Sequence, residues 1–143
     1  MDKKPIHSFQ DLDVYQNSYN AMLLIFKEIL AKLPKEEQYD LKNQLCRSSK
    51  AIPRLIGEGH SKRHQKRGFQ KYLDDAMAES NETIVSLTQA KDLYEKFIDI
   101  DLCKKLLDDY DKISRQLYKL SIAWSNFKER KPLDINRNEP RNR

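Results

Sequence analysis

The chain has 143 residues, with 27 Lys and Arg against 22 Asp and Glu and a formal net charge of +5. This length supports one domain around a single hydrophobic core. Only three glycines and five prolines punctuate it, whereas a sheet protein of this size needs many more turn residues. A few long helices are therefore predicted. The longest apolar run, residues 21–26, is far too short to cross a bilayer, and the polar start Met1-Asp2-Lys3-Lys4 leads into no signal-peptide core. No membrane association and a cytoplasmic location are expected. Cys46 and Cys103 match no metal or redox spacing and read as small buried hydrophobes.

Four segments carry the alternating three- and four-residue apolar spacing of bundle helices. In the first, Leu12, Tyr15, Tyr19, Met22, Phe26, Ile29 and Leu33 form the inward stripe. Ser8 with Asp11 supplies a capping-box-like start, and Pro34 stops the helix. The second is expected over about 35–57, with Leu41, Leu45, Ser48, Ile52 and Leu55 inward and a kink at Pro53. The third is expected over about 66–96, on Phe69, Leu73, Ala76, Ser80, Thr83, Leu87, Ala90 and Tyr94. The fourth starts with Asp99 or Asp101 as N-cap and runs through Leu102, Leu106, Ile113, Leu117, Leu120 and Trp124 to about Phe127. The connections are short, so consecutive helices must reverse direction. The expected fold is all-α: an antiparallel up-down-up-down four-helix bundle over 9–127, with a lead-in at 1–8. The basic tail 128–143 is nearly devoid of apolar residues and is expected to be disordered in isolation.

Residues 21–26 are apolar on every side of the helix, although a bundle helix needs one stripe. Ile84 and Val85 add a second patch on the third helix. Leu24, Ile25, Ile84 and Val85 are accordingly the expected interface between subunits of a homo-oligomer.

Charge is unevenly distributed. Between positions 41 and 73 the bases are Lys42, Arg47, Lys50, Arg54, Lys62, Arg63, Lys66, Arg67 and Lys71, against the single acid Glu58. Lys62 and Arg63 complement the macrodipole at the C-terminus of the second helix. Lys66 and Arg67 fall where the third helix begins and its dipole is already positive, so stability alone would place acids there. A phosphate ligand fits this arrangement. Arg47, Lys50 and Arg54 share one helix face and could track a nucleic-acid backbone. Together with Lys62, Arg63, Lys66, Arg67 and Lys71 they form the expected nucleic-acid-binding set, the competing explanation being a solvated basic surface. Glu58, alone among these bases, is placed to pair with Arg54 or Arg47.

No catalytic constellation emerges. His60 follows Gly59 in a loop and shares no face with His64, and His7 has no carboxylate at metal-ligand spacing. No glycine-rich phosphate loop follows a strand. Neither metal nor cofactor is expected, and an enzyme is not the expected reading.

Several segments resemble one family. Phe9-x-Asp11-Leu12-x-Val14-Tyr15 and Leu33-Pro34-Lys35-Glu36-Glu37-x-Tyr39-x-Leu41-x-x-Gln44-Leu45-x-Arg47-Ser48-Ser49 are similar to motifs of the bacterial four-helix-bundle proteins of the 23S rRNA intervening-sequence family. Ile52-Pro53-x-x-Ile56-Gly57-Glu58-Gly59 looks like that family's Ile-Pro-x-Asn-Ile-Ala-Glu-Gly signature, departing from it at Leu55 and Gly57. Ser80-Asn81-Glu82-Thr83, then Leu87 and Ala90-Lys91-Asp92-Leu93, resembles its third-helix pattern. The resemblance implies a four-helix bundle assembled as a ring-shaped homopentamer, with many members encoded inside insertions in 23S rRNA genes. It extends distantly to accessory proteins of diversity-generating retroelements, which use a basic surface to engage reverse transcriptase and nucleic acid. The functional expectation is an oligomeric bundle that binds nucleic acid, RNA in particular. The alternative is a protein-interaction scaffold or accessory subunit, for example for a reverse transcriptase or RNA-processing enzyme.

Overall fold

A 3-10 turn at Phe9–Asp11 is the first helical element, and the Asp11 carboxylate accepts the backbone N–H groups of His7 at 2.8 Å and Ser8 at 3.1 Å. In the computed structural model the described residues are 7–138, with side chains described through 126. Helix α1 spans Asp13–Leu24 and continues through a π turn at Ile25–Ile29 and a 3-10 turn at Leu30–Lys32. Leu33 is extended, as the residue before Pro34 must be. The π turn has a packing consequence. Buried positions run Val14, Ser18, Ala21, Ile25, Ile29 and Leu33, and the four-residue spacing after Ala21 suits the wider turn.

This stripe differs from the one read in the sequence. Of Tyr15, Tyr19, Met22 and Phe26, none is fully buried, and Tyr19 remains 42% exposed. The inward positions hold the small side chains Ser18 and Ala21, and the larger ones lie at the edge facing the second helix. Ile25, expected at a subunit interface, is fully enclosed in the core. It shares that burial with Ile29 one turn away.

Helix α2 spans Leu41–Ser61, later at both ends than expected. Residues 35–37 form a separate 3-10 turn because Asp40 adopts φ −130°, ψ −96°, which is not helical. Glu37 then accepts the N–H of Leu41 at 3.2 Å. Pro53 lies inside α2 and is buried, and it offers no N–H to the carbonyl of Ser49 one turn earlier. Helix α3 spans Gly68–Leu93. Its residues Phe69, Leu73, Ala76, Ser80, Thr83, Leu87 and Ala90 are buried as the sequence pattern expected, whereas Tyr94, the last of that pattern, lies past the helix end and is half-buried.

Helix α4 spans Ile100–Asn138, and Asp99 caps it by accepting the Leu102 N–H at 3.1 Å. It continues to Asn138, past the end expected at about Phe127. Lys128-Glu129-Arg130-Lys131 are good helix formers, and extending an established helix adds one hydrogen bond per residue fixed. Residues 1–6 of the expected lead-in and 139–143 of the expected tail lie outside the described residues.

The chain is all-α, with four helices and no strand among the described residues. Helix α2 packs on α3, α3 on α4, and α1 on both α2 and α4. Gly59 lies against Phe69 and Tyr72, while Ser48 meets Thr83 at 2.8 Å. Cys103 donates to the carbonyl of Leu87 at 3.3 Å, and Ser80 meets Ser114 at 2.7 Å. Along both of these seams residue numbers rise on one helix as they fall on the other. Leu45, Ile52 and Ile56 from α2 close the core with Leu73, Leu87, Leu106 and Leu117. Each such side chain stabilises the fold by about 1.5–3 kcal/mol through burial.

Candidate nucleic-acid interface

The turn between α2 and α3 is built tightly from its own backbone. Lys62 and Arg63 donate to the carbonyls of Gly59 at 3.0 Å and His60 at 3.2 Å, ending α2. Gln65 then donates to Lys62 and Gly68 to Gln65, both at 3.0 Å. Arg67 sits in the left-handed region at φ 58°, ψ 13°, unusual for a residue with a side chain. A Cβ at position 68 would lie 2.1 Å from the Lys62 carbonyl oxygen, so the turn closes only with glycine there.

This compact turn brings bases together. Lys62, Lys66, Arg67 and Lys71 line an open cleft of about 410 Å³ with Gln65, Gly68 and Tyr72, and Asp74 and Asp75 stand along it. The Lys62 ammonium donates to the Tyr72 hydroxyl at 2.9 Å and lies 5.2 Å from the centre of its ring. That hydrogen bond raises the Lys62 pKa, so the group is firmly charged. A cation held against a phenol ring is fixed in place without being neutralised.

The remaining bases of the expected set separate from this cleft. Arg63 folds back and donates to the His60 carbonyl at 2.7 Å, with its guanidinium 3.3 Å from His60 Nδ1. It therefore caps the C-terminus of α2. Burial first, and then the Arg63 charge, holds His60 below the usual histidine range. Lys50 and Arg54 line a different groove, between α1 and α2. Arg47 is exposed and its charge acts on Glu79 of α3, whose carboxyl is nevertheless pushed up by burial and by a hydrogen bond with Glu82. Among the described residues Glu58 forms no ion pair with Arg54 or Arg47; its field acts on Lys62 instead.

The ion pairs formed among the described residues are Glu28–Lys32, Lys91–Asp92, Lys105–Asp109 and Asp111–Arg115. None involves Arg47, Lys50, Arg54, Lys62, Arg63, Lys66, Arg67 or Lys71. The basic face thus keeps its charge available to an anion. On the surface set aside for subunit contact, Leu24 and Ile84 are half-buried against the core while Val85 is 55% exposed. Leu23, which the sequence pattern did not single out, is exposed on α1.

The pattern also missed Phe9, Tyr15, Tyr19 and Met22 as lining residues of the α1–α2 groove. Tyr15, Tyr19 and Met22 fall in the expected core stripe, and only the position of α2 separates a core ring from a groove wall. Among the described residues no group of three His, Cys, Asp or Glu side chains is placed to hold a metal ion, and no helix is long and apolar enough to cross a membrane.

Fold and site together define a small four-helix protein whose outstanding surface feature is a cluster of bases around one interhelical turn, none of them in an ion pair among the described residues. The chain belongs to the 23S rRNA-intervening sequence protein family, whose model matches residues 10–119. This is not a known enzyme family. Comparison with curated proteins gave no match.

Proposed function

We propose that this protein is an antiparallel up-down-up-down bundle that binds RNA without catalysing a reaction on it. Its contacts are to backbone phosphates, through Lys62, Lys66, Arg67 and Lys71. The observation that carries this reading is the placement of Lys66 and Arg67 at the start of α3. The dipole there already favours anions, and the neighbouring cations have no acidic partner within ion-pair distance among the described residues. Family membership is compatible with an RNA-related role.

The test is a titration with structured rRNA fragments at two salt concentrations. Phosphate binding requires affinity that falls steeply with salt, by a slope of about −0.7 to −0.9 per neutralised phosphate. Replacing Lys62, Lys66, Arg67 and Lys71 with Gln should flatten that slope. Absence of binding at low salt overturns the reading.

The same protein assembles, in this reading, as a ring of identical chains, a homopentamer. Leu23 on α1 and Val85 on α3 are exposed apolar residues on helices that do not neighbour each other. Contact between the α1 patch of one copy and the α3 patch of the next is heterologous, and such contacts generate rings when the rotation closes. Light scattering behind size exclusion should then give about five times the 17.0 kDa chain mass. A monomer at micromolar concentration overturns the ring.

A further inference from the structure

We infer that the groove between the start of α1 and the middle of α2 holds an unstacked base of single-stranded RNA. The inference rests on the RNA-binding reading and adds to it that the preferred ligand is a single strand. The two chain segments that meet in this groove are distant in sequence: Phe9, Tyr15 and Tyr19 come from one, and Pro53, Gly57 and Glu58 from the other.

The groove is open to solvent, with a volume of about 620 Å³. Its wall is aromatic. The Phe9 and Tyr15 rings meet edge to face at 5.0 Å, and Tyr15 and Tyr19 lie 5.9 Å apart at an interplanar angle of 30°. Position 57 contributes no side chain, and a Cβ there would touch the Phe9 ring at 3.4 Å. Phe9 therefore lies directly over the α2 backbone. Lys50 and Arg54, both exposed, stand on the opposite wall with Glu58 and Ser61.

Charge and aromaticity together select the occupant. An apolar helix from a second copy could use the rings but leaves Lys50 and Arg54 facing it unpaired. A duplex could use the cations, but its bases are stacked away from Tyr19. A single strand uses both, with a base face on the ring and phosphates on the cations. Glu58 suits this ligand as well. A carboxylate in a basic groove repels phosphate but accepts the N–H donors of a base edge.

The experiment compares a labelled unstructured RNA of about twelve nucleotides, within the site sizes of single-strand binders, with the duplex of the same sequence. The full-length chain is used as wild type, Tyr19→Ala, Tyr19→Phe and the Gln variant of Lys62, Lys66, Arg67 and Lys71. The single strand should bind more tightly than the duplex. Tyr19→Ala should weaken single-strand binding at least about fivefold, leave duplex binding unchanged, and be rescued by Tyr19→Phe. Tyr19 is 42% exposed, so its replacement should leave the fold intact, which a denaturation curve checks. Equal binding of both RNAs with no effect of Tyr19→Ala overturns the groove while the phosphate reading stands, provided the Gln variant weakens both. Binding of neither RNA at low salt removes the phosphate reading and this inference with it. A fall in assembly mass with Tyr19→Ala, without loss of RNA affinity, assigns the groove to a second copy and overturns the inference.

Discussion

Gly59 and Tyr72 approach so closely that a Cβ on residue 59 would lie 2.6 Å from the Cβ of Tyr72 and 3.0 Å from the Phe69 ring. This contact fixes how α2 and α3 meet just before the basic turn. It also places Tyr72 where its hydroxyl receives the Lys62 ammonium.

Gly59→Ala should therefore destabilise the protein, although alanine is the better helix former. Overpacking at such a contact costs about 1–3 kcal/mol, against about 1 kcal/mol gained from propensity. Urea denaturation should show a lower midpoint with an unchanged slope.

The buried hydroxyl pair between α2 and α3 is a second test. Thr83 lies 2.8 Å from the Ser48 hydroxyl and 2.9 Å from the Glu79 carbonyl. Thr83→Val should cost about 1–2 kcal/mol, because it strips a buried hydroxyl of its partner. Combining it with Ser48→Ala should cost less than the sum of the two single changes, which a double-mutant cycle measures.

Glu79 gives a pH dependence of defined sign. Burial, followed by the Glu82 hydrogen bond, raises its carboxyl above the ordinary 4.5. A raised pKa means the folded state prefers the protonated form. The stability this contributes is complete below 4.5 and is lost as pH rises through the folded value. Glu79→Gln should therefore be more stable than wild type at neutral pH, and the difference should shrink on acidification. Thermal midpoints recorded between pH 4 and 7 check this.

Two neighbours on α1 should behave oppositely. Ile25→Asp places an unpaired charge in the core, where Ile25 has no exposure, and should cost about 3–5 kcal/mol. Leu23→Asp alters an exposed side chain and should leave chain stability within about 0.5 kcal/mol. If the α1 face meets another copy, Leu23→Asp should lower the mass seen by light scattering while circular dichroism stays unchanged.

Legibility in the sequence differed between α3 and α1, although each packs against two other helices. Helix α3 lies between α2 and α4, and its expected stripe from Phe69 to Ala90 is buried, while Tyr94 falls past its end and the buried Gln70 and Ser86 were not anticipated. Helix α1 departs further. The expected stripe put Tyr15, Tyr19, Met22 and Phe26 inward, but the buried positions are Val14, Ser18, Ala21 and Ile25, and the two phases coincide again only at Ile29 and Leu33, at and after the π turn. Ile25, expected beside Leu24 at a subunit interface, is instead enclosed by the neighbouring helices.

The candidate site divides in the same way. The composition of the window from 41 to 73 revealed the basic residues, because charge is a property of the residues themselves. Gly68 and the bases beside it also belong to a local turn, closed by hydrogen bonds over three residues. Which bases share a surface is another matter. Lys62 joins Lys71 through the turn geometry, Arg63 leaves them for His60, and Lys50 and Arg54 face rings from the other end of the chain.

The sequence by itself determined four helices, their polar turns and the basic character of one region, since periodicity, helix capping and charge act over a few residues. The tertiary structure alone decided which apolar side chains became core and which became groove, and how one run of bases was partitioned. Those outcomes depend on contacts between residues far apart in the chain, where packing rather than local preference sets the free energy.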